Sequence, residues 1–187
     1  MPGDDGIEIT ADLATLQPVE RLIPTADRTR RVEPKGVIQP DDLHIFLTEA
    51  ILREVVDWSK SDLHHELGGV FVGDLYSHKG MPWLEVAGYI KARHFENTAA
   101  SFRFTHDSFS AITREKESRF NDRPIVGWHH THPGYGVFLS GTDLFSHRHF
   151  FNLPWMFAMV VDPKAGTLGF FQWKKGQVVP CGFFFVR

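Results

Sequence analysis

The sequence predicts an α/β domain, a mixed sheet with helices on its faces. Three observations carry this expectation. Segments with apolar residues at helical spacing alternate with short runs rich in β-branched and aromatic residues. Two of those runs, 69–76 and 83–91, lie on either side of a turn with Gly80 and Pro82, as antiparallel neighbours do. The 187 residues include 17 Phe and 5 Trp, ample for one core in a chain of single-domain length.

Residues 1–40 are rich in Asp, Pro, Thr and Arg, with Ile7, Ile9, Leu13, Leu16, Leu22 and Ile23 scattered among them. They read as a flexible N-terminal arm, with a short docked segment at 6–10 or 19–23 as a variant of that reading. The folded domain is expected over 41–187. Residues 43–47 form a short strand. Thr48 can cap a helix reaching residue 59, with Ile51, Leu52, Val55 and Val56 on one face. Strands at 69–76 and 83–91 follow, then a short strand at 101–105, a helix over 107–120 and a strand at 124–130. An irregular loop, 131–141, leads into a helix over 142–152, which Pro154 should end. Strands at 156–161, 167–172 and 177–185 close the domain, with a hairpin turn at 162–166.

Composition narrows the function classes. Hydrophobic residues make up 42% and charged residues 23%, as in ordinary globular chains. A net charge of −3 leaves no basic footprint, so nucleic-acid binding is not expected. No stretch reaches the roughly 20 apolar residues of a membrane span, and 1–35 lacks the basic start and apolar run of a signal peptide. The single cysteine, Cys181, can make neither an internal disulfide nor a thiolate metal cluster, and reads as a core residue. These features suit a cytoplasmic protein. Eleven histidines make placement of imidazole the question to pursue.

The informative segment runs from Gly127 to Asp143, Gly-Trp-His-His-Thr-His-Pro-Gly-Tyr-Gly-Val-Phe-Leu-Ser-Gly-Thr-Asp. Residues two apart on a strand share a face, so His130 and His132 converge at a strand end before Pro133 and Gly134 turn the chain. Asp143 arrives in the first turn of the next helix. Two imidazoles and a carboxylate leave one tetrahedral position open, the arrangement of catalytic rather than structural zinc. Such a site needs a proton acceptor, and Glu66, at the entry to the strand Gly68-Gly-Val-Phe-Val-Gly73, is the candidate. Ser140 could donate its hydroxyl to an oxyanion. Taken singly, each residue has a plain structural reading: Ser140 as a helix N-cap, Asp143 as an acid in a first turn, Glu66 as a solvated charge. Their order along the chain is that of one metal site.

Glu-x-x-Gly-x-x-x-Gly (Glu66, Gly69, Gly73), then His-x-His-Pro and Ser-x-x-Asp, resembles the JAMM motif of catalytic MPN-domain metalloproteases. The likeness extends through Gly-Trp-x-His-Thr-His-Pro-Gly-Tyr-Gly to Val160-Val-Asp-Pro163 and covers roughly 42–175. It is similar to the eukaryotic branch that includes the proteasome-lid deubiquitinase and the deneddylating subunit of the COP9 signalosome. The resemblance implies the MPN (JAB1/MPN, cytidine-deaminase-like) fold, a mixed β-sheet or partial barrel flanked by helices. It implies one catalytic Zn2+ on His130, His132 and Asp143, with Glu66 as general acid/base and Ser140 as oxyanion donor. It also implies cleavage after the C-terminal glycine of a ubiquitin-like protein. All five positions are filled, unlike in the scaffold-only MPN proteins. Thr131 stands where many relatives carry Ser, and 104–125 corresponds to a variable insertion that helps dock the modifier.

By the same resemblance the setting is a bacterial operon encoding a ubiquitin-like modifier with activating and conjugating enzymes, some of which serve in defence against phage. A sulfur-carrier peptidase of the same fold would use the same five residues. A non-catalytic module that binds a ubiquitin-like protein is the contrasting class. Among the other histidines, His147 lies one turn after Asp143 and reads as a surface or core residue before a partner of the site, while His129 and His149 read as structural or exposed. His65-Glu66 is not a His-Glu-x-x-His helix, since Gly occupies position 69. No Lys-Ser/Thr follows the glycines, so a phosphate loop is not expected.

Overall fold

The computed structural model describes residues 16–121 and 123–187. The chain first lays down β1 (Val19–Glu20), a 3-10 turn (Pro24–Ala26) and β2 (Val32–Lys35). Then come β3 (His44–Thr48), α1 (Glu49–Ser59), and the long pair β4 (Gly68–His78) and β5 (Met81–Lys91). A small hairpin, β6 (Glu96–Thr98) and β7 (Ser101–Arg103), precedes α2 (His106–Phe120), β8 (Ile125–Thr131) and α3 (Gly141–Phe150). β9 (Phe157–Asp162), β10 (Thr167–Lys174), β11 (Gln177–Cys181) and β12 (Phe183–Val186) complete the fold.

The strands form one curled mixed sheet in the order β11-β10-β9-β8-β4-β5-β3-β12-β2, with β1 added alongside β4. β6 and β7 pair only with each other among the described residues. β4 lies in the middle, and its Val70, Phe71 and Val72 are fully buried, which is why it reads as an apolar run rather than an alternating one. β5 and β8 run antiparallel to β4, whereas β9 runs parallel to β8. That parallel step requires a crossover, and α3 provides it.

Local chemistry explains the element ends. The Thr48 hydroxyl accepts from the Ile51 amide and starts α1. Thr105 and Ser108 form a reciprocal capping box at the start of α2. Lys79 and Gly80, both at positive φ, make a turn between β4 and β5 tighter than the six residues the sequence suggests. Pro154 does not set the end of α3, which stops at Phe150. Phe151 turns out of helical geometry there, and its carbonyl accepts from Trp173 Nε1 at 2.8 Å. The expected strand over 177–185 divides at Gly182, where the chain passes from pairing with β10 to pairing with β3 and β2. A Cβ at Gly182 would lie 2.6 Å from the Lys35 carbonyl oxygen.

The docked segment suggested at 19–23 is present, and the attachment runs further than composition suggests. Residues 1–15, including the segment suggested at 6–10, lie outside the described residues. From Val19 to Lys35, however, the chain is attached to the sheet, through β1 on β4 and β2 on β12. Ile23 is 4% exposed and packs with Phe46, Trp83 and Phe184 in a second small core. The Arg21 and Arg30 guanidiniums both reach Glu85, at 2.8 and 3.0 Å. Two buried side chains, Ile23 and Pro24, and a shared carboxylate help to hold a segment too polar to read as strand.

Candidate active site

The register of β4 and β8 assembles the site. Gly68 pairs with His130 and Gly69 with His129, so the start of β4 lies beside the end of β8. Beyond the paired strands, Thr131 N–H donates to the Leu67 carbonyl at 2.9 Å and Leu67 N–H donates to Thr131 Oγ1 at 2.8 Å. This double clasp fixes Glu66 against the two histidines. Glu66 is held from its other side by the β6–β7 hairpin: its amide donates to the Thr98 carbonyl and its carbonyl accepts from Asn97 Nδ2. Trp58 Nε1 of α1 donates to the Gly68 carbonyl at 3.0 Å, adding a third support.

His130, His132 and Asp143 converge, and all three are buried. His130 Nε2 lies 3.1 Å from His132 Nε2, and the two nitrogens lie 3.2 and 3.3 Å from Asp143 Oδ2. A tetrahedral ion with N and O ligands at about 2.0–2.1 Å has ligand-to-ligand edges of roughly 3.3 Å. The three atoms thus form one face of such a tetrahedron. His132 Nδ1–H donates to the Gly136 carbonyl at 3.1 Å, which leaves Nε2 with its lone pair free for a metal. The donor set therefore fits zinc. Glu66 Oε1 is 3.8 Å from His132 Nε2, and Oε2 is buried with no partner among the described residues.

Electrostatics separate the two carboxylates. Burial pushes the Glu66 carboxyl up to about 7, with the Asp143 charge adding to the effect and His132 opposing it. Burial acts the same way on Asp143, but hydrogen bonds from His130, His132 and Ser140 outweigh it and hold the group below the usual carboxylate range. One acid is poised to exchange protons near neutrality while the other stays an anion. Ser140 is the N-cap of α3: its Oγ accepts from the Asp143 amide at 3.2 Å, and its own amide donates to Asp143 Oδ2 at 2.7 Å. The hydroxyl proton is committed to none of the described residues.

All five residues singled out from the sequence are thus gathered in one place. The remaining histidines divide. His149 is exposed and stacks on Phe145. His147 is fully buried and accepts from Trp128 Nε1 at 2.9 Å, and the Trp128 ring lies on His130 at 4.5 Å and 13°. It backs the site through Trp128. His129, pointing to the opposite face of β8, is fixed by Ser59 Oγ at 3.0 Å and Tyr89 Oη at 2.9 Å. Ser59 spends its proton on the Val55 carbonyl, so His129 Nε2–H donates to Ser59 and Tyr89 O–H donates to His129 Nδ1. Sequence reasoning missed the parts played by Thr131, Asn97 and Asp162. For Thr131 the signal was available, since a hydroxyl between two ligand histidines on a buried strand needs a partner.

A curled mixed sheet that brings two strand-end histidines, a helix-start aspartate and a facing glutamate together defines a JAB/MPN-type domain with the JAMM residue set. Comparison with known proteins agrees: the family described as prokaryotic homologs of the JAB domain matches residues 48–174, and the chain belongs to it. The chain is 27% identical over 137 residues to the 26S proteasome regulatory subunit RPN11 of Eremothecium gossypii, covering 72% of this chain and 40% of that one. It is 25% identical over 137 residues to the ubiquitin carboxyl-terminal hydrolase RPN11 of Saccharomyces cerevisiae, covering 72% and 41%. The chain spans about two fifths of the length of these relatives. Among solved structures, protein DSY2949 of Desulfitobacterium hafniense shares the fold with a TM-score of 0.56 and 20% identity, over 75% of this chain and 92% of the other.

Proposed function

We propose that this chain is a zinc-dependent isopeptidase or peptidase that cleaves after the C-terminal glycine of a ubiquitin-like protein, releasing it from targets or processing its precursor. The observation that carries this reading is the spacing of the three ligand atoms, 3.1–3.3 Å apart, with the Glu66 carboxylate 3.8 Å from one of them. Membership of the JAB family and the likeness to a protein named as a ubiquitin carboxyl-terminal hydrolase support the choice of substrate.

His130, His132 and Asp143 would hold the ion, which when bound supplies a Lewis acid that lets water attack at neutral pH. The Glu66 carboxylate takes a proton from the attacking water as its oxygen adds to the scissile carbonyl. Ser140 Oγ–H donates to the oxygen that becomes anionic. Glu66 then returns the proton to the lysine nitrogen as the C–N bond breaks, leaving a carboxylic acid and a free amine; the acid's remaining proton then passes to the amine, giving carboxylate and ammonium. Burial, which raises this carboxyl in the metal-free site, favours its accepting and holding the proton between the two transfers. The outer edge of β7, unpaired among the described residues, offers a place for an extended tail to add as a strand. The setting in this reading is the cytoplasm of a bacterium whose modifier, activating and conjugating enzymes act with this protein. No helix among the described residues is long and apolar enough to cross a membrane.

The test is cleavage of a ubiquitin-like protein bearing a C-terminal extension or a lysine-linked adduct. Wild type should cut it, while chelator-treated protein and zinc-loaded Glu66→Gln should not, the latter losing ~10²–10⁴ in rate. Undiminished turnover by zinc-loaded Glu66→Gln would remove the residue from its assigned role. Product size separates this activity from that of a sulfur-carrier peptidase, which would release small free amines.

A further inference from the structure

Asp162 ends β9 on the far side of the metal loop, 2% exposed and outside the five-residue set. Burial would push its carboxyl up, yet four backbone amides hold it below its ordinary value. Its two oxygens have different tasks. Oδ1 accepts from Gly134 N–H at 2.9 Å, Lys164 N–H at 3.0 Å and Ala165 N–H at 3.1 Å. Oδ2 accepts from Gly136 N–H alone, at 3.0 Å.

Gly136 is the residue whose carbonyl receives His132 Nδ1–H. Its φ of 88°, and that of 87° at Gly134, put both in the left-handed region, where the chain doubles back toward Asp162. The His132 amide donates to the Val161 carbonyl at 2.8 Å, so β9 grips both ends of the segment. The route from carboxylate to imidazole is therefore short: Asp162 Oδ2, the Gly136 peptide unit, His132 Nδ1. We infer that Asp162 is a positioning residue for the metal centre, holding the Gly136 carbonyl where it sets the orientation and tautomer of the His132 ring. The inference rests on the reading of His132 as a ligand given above.

The two-oxygen division supplies a clean variant. In Asp162→Asn the amide oxygen can keep the three bonds of Oδ1, two to the turn after β9 and one to Gly134 N–H, while the NH2 group confronts Gly136 N–H. The control is Gly166→Ala, which strains the same turn at a φ of 68° with nothing within 4 Å of the new Cβ and no link to Gly136. Zinc affinity is measured by competition with a chromophoric chelator, and the thermal midpoint of each metal-free protein is recorded alongside. Zinc dissociation should rise about 10–100-fold in Asp162→Asn, as for other partners of metal-binding histidines, and stay at the wild-type value in Gly166→Ala. In the metal-free proteins, NMR should show faster exchange at the Gly136 amide and loss of the Nδ1–H signal of His132 only in Asp162→Asn. Wild-type zinc affinity in Asp162→Asn, an equal loss in Gly166→Ala, or an unchanged His132 Nδ1–H signal would each overturn the inference. Failure of the wild type to bind zinc would instead sink the proposed function, and the metal-free spectra would still decide the link between Asp162 and His132.

Discussion

Metal loading should raise the melting temperature by an amount the site itself sets. Under the proposed assignment, zinc would bind only the folded arrangement of His130, His132 and Asp143, which the end of β8 and the start of α3 bring together. At a free concentration about a thousand times its dissociation constant, a ligand of this kind stabilises by ~4 kcal/mol. A chain of 187 residues unfolds with an entropy of about 0.4 kcal/mol per degree near its midpoint. The ratio gives a rise of roughly 10 °C. The effect should depend on pH in a definite direction. Against the pull of burial, the hydrogen bond that His132 donates to the Asp143 carboxylate and that group's charge raise the imidazole above its ordinary 6.5, so zinc must displace a proton that the metal-free site favours. The rise should therefore be smaller at pH 5.5 than at pH 8. Differential scanning calorimetry of chelated protein with and without buffered zinc measures it. With eleven histidines in the chain, adventitious binding needs a control, and the double variant His130→Ala/Asp143→Ala provides it. No rise in the wild type, or an equal rise in the double variant, would refute the ligand assignment.

Three further outcomes are expected. Ser140→Ala should lose about 1 kcal/mol from the missing helix cap but ~10²–10³ in turnover if the hydroxyl serves the oxyanion; a rate change no larger than the loss of folded protein would leave Ser140 a cap alone. Gly69→Ala places a Cβ 2.3 Å from Tyr89 Oη and 2.5 Å from the Ile90 carbonyl oxygen. It should cost about 1–3 kcal/mol or more in urea unfolding, and a neutral result would show that β4 can move away from β5. Burial and the nearby His130 hold His147 down to about 4 in the folded state. Because an unfolded histidine titrates near 6.5, this group's contribution is complete above that pH and is lost as pH falls toward 4. Metal-free wild type should lose about 2 kcal/mol more than His147→Gln between pH 7.5 and 5; parallel pH curves for the two proteins would place the titration elsewhere.

The parts of the fold legible in the sequence are those in which local chemistry and burial agree. Thr48 followed by apolar residues at helical spacing gives α1 almost residue for residue, and the apolar run after Gly68 gives β4. β6 was not legible: Glu-Asn-Thr has no apolar periodicity, and it is strand only because it pairs with β7 and holds the Glu66 backbone. β2 escaped for the same reason, and β1 was legible only as a docked segment at 19–23, since both are additions defined by their neighbours. At the site, the convergence of His130, His132 and Asp143 could be read because the histidines are two residues apart and Asp143 opens the next helix. Asp162 could not be so read, because its meaning lies in amides 26 and 28 positions earlier in the chain.

The stack of Trp128 on His130 gives the protein an optical consequence. The indole lies nearly parallel to the first ligand ring, at 4.5 Å, and its N–H is spent on His147. Any change of charge on that imidazole is delivered directly to the excited state of one tryptophan among five. Should the proposed ion bind there, its filling, emptying and acid release would be written into ultraviolet emission and could be followed in time without attaching a dye.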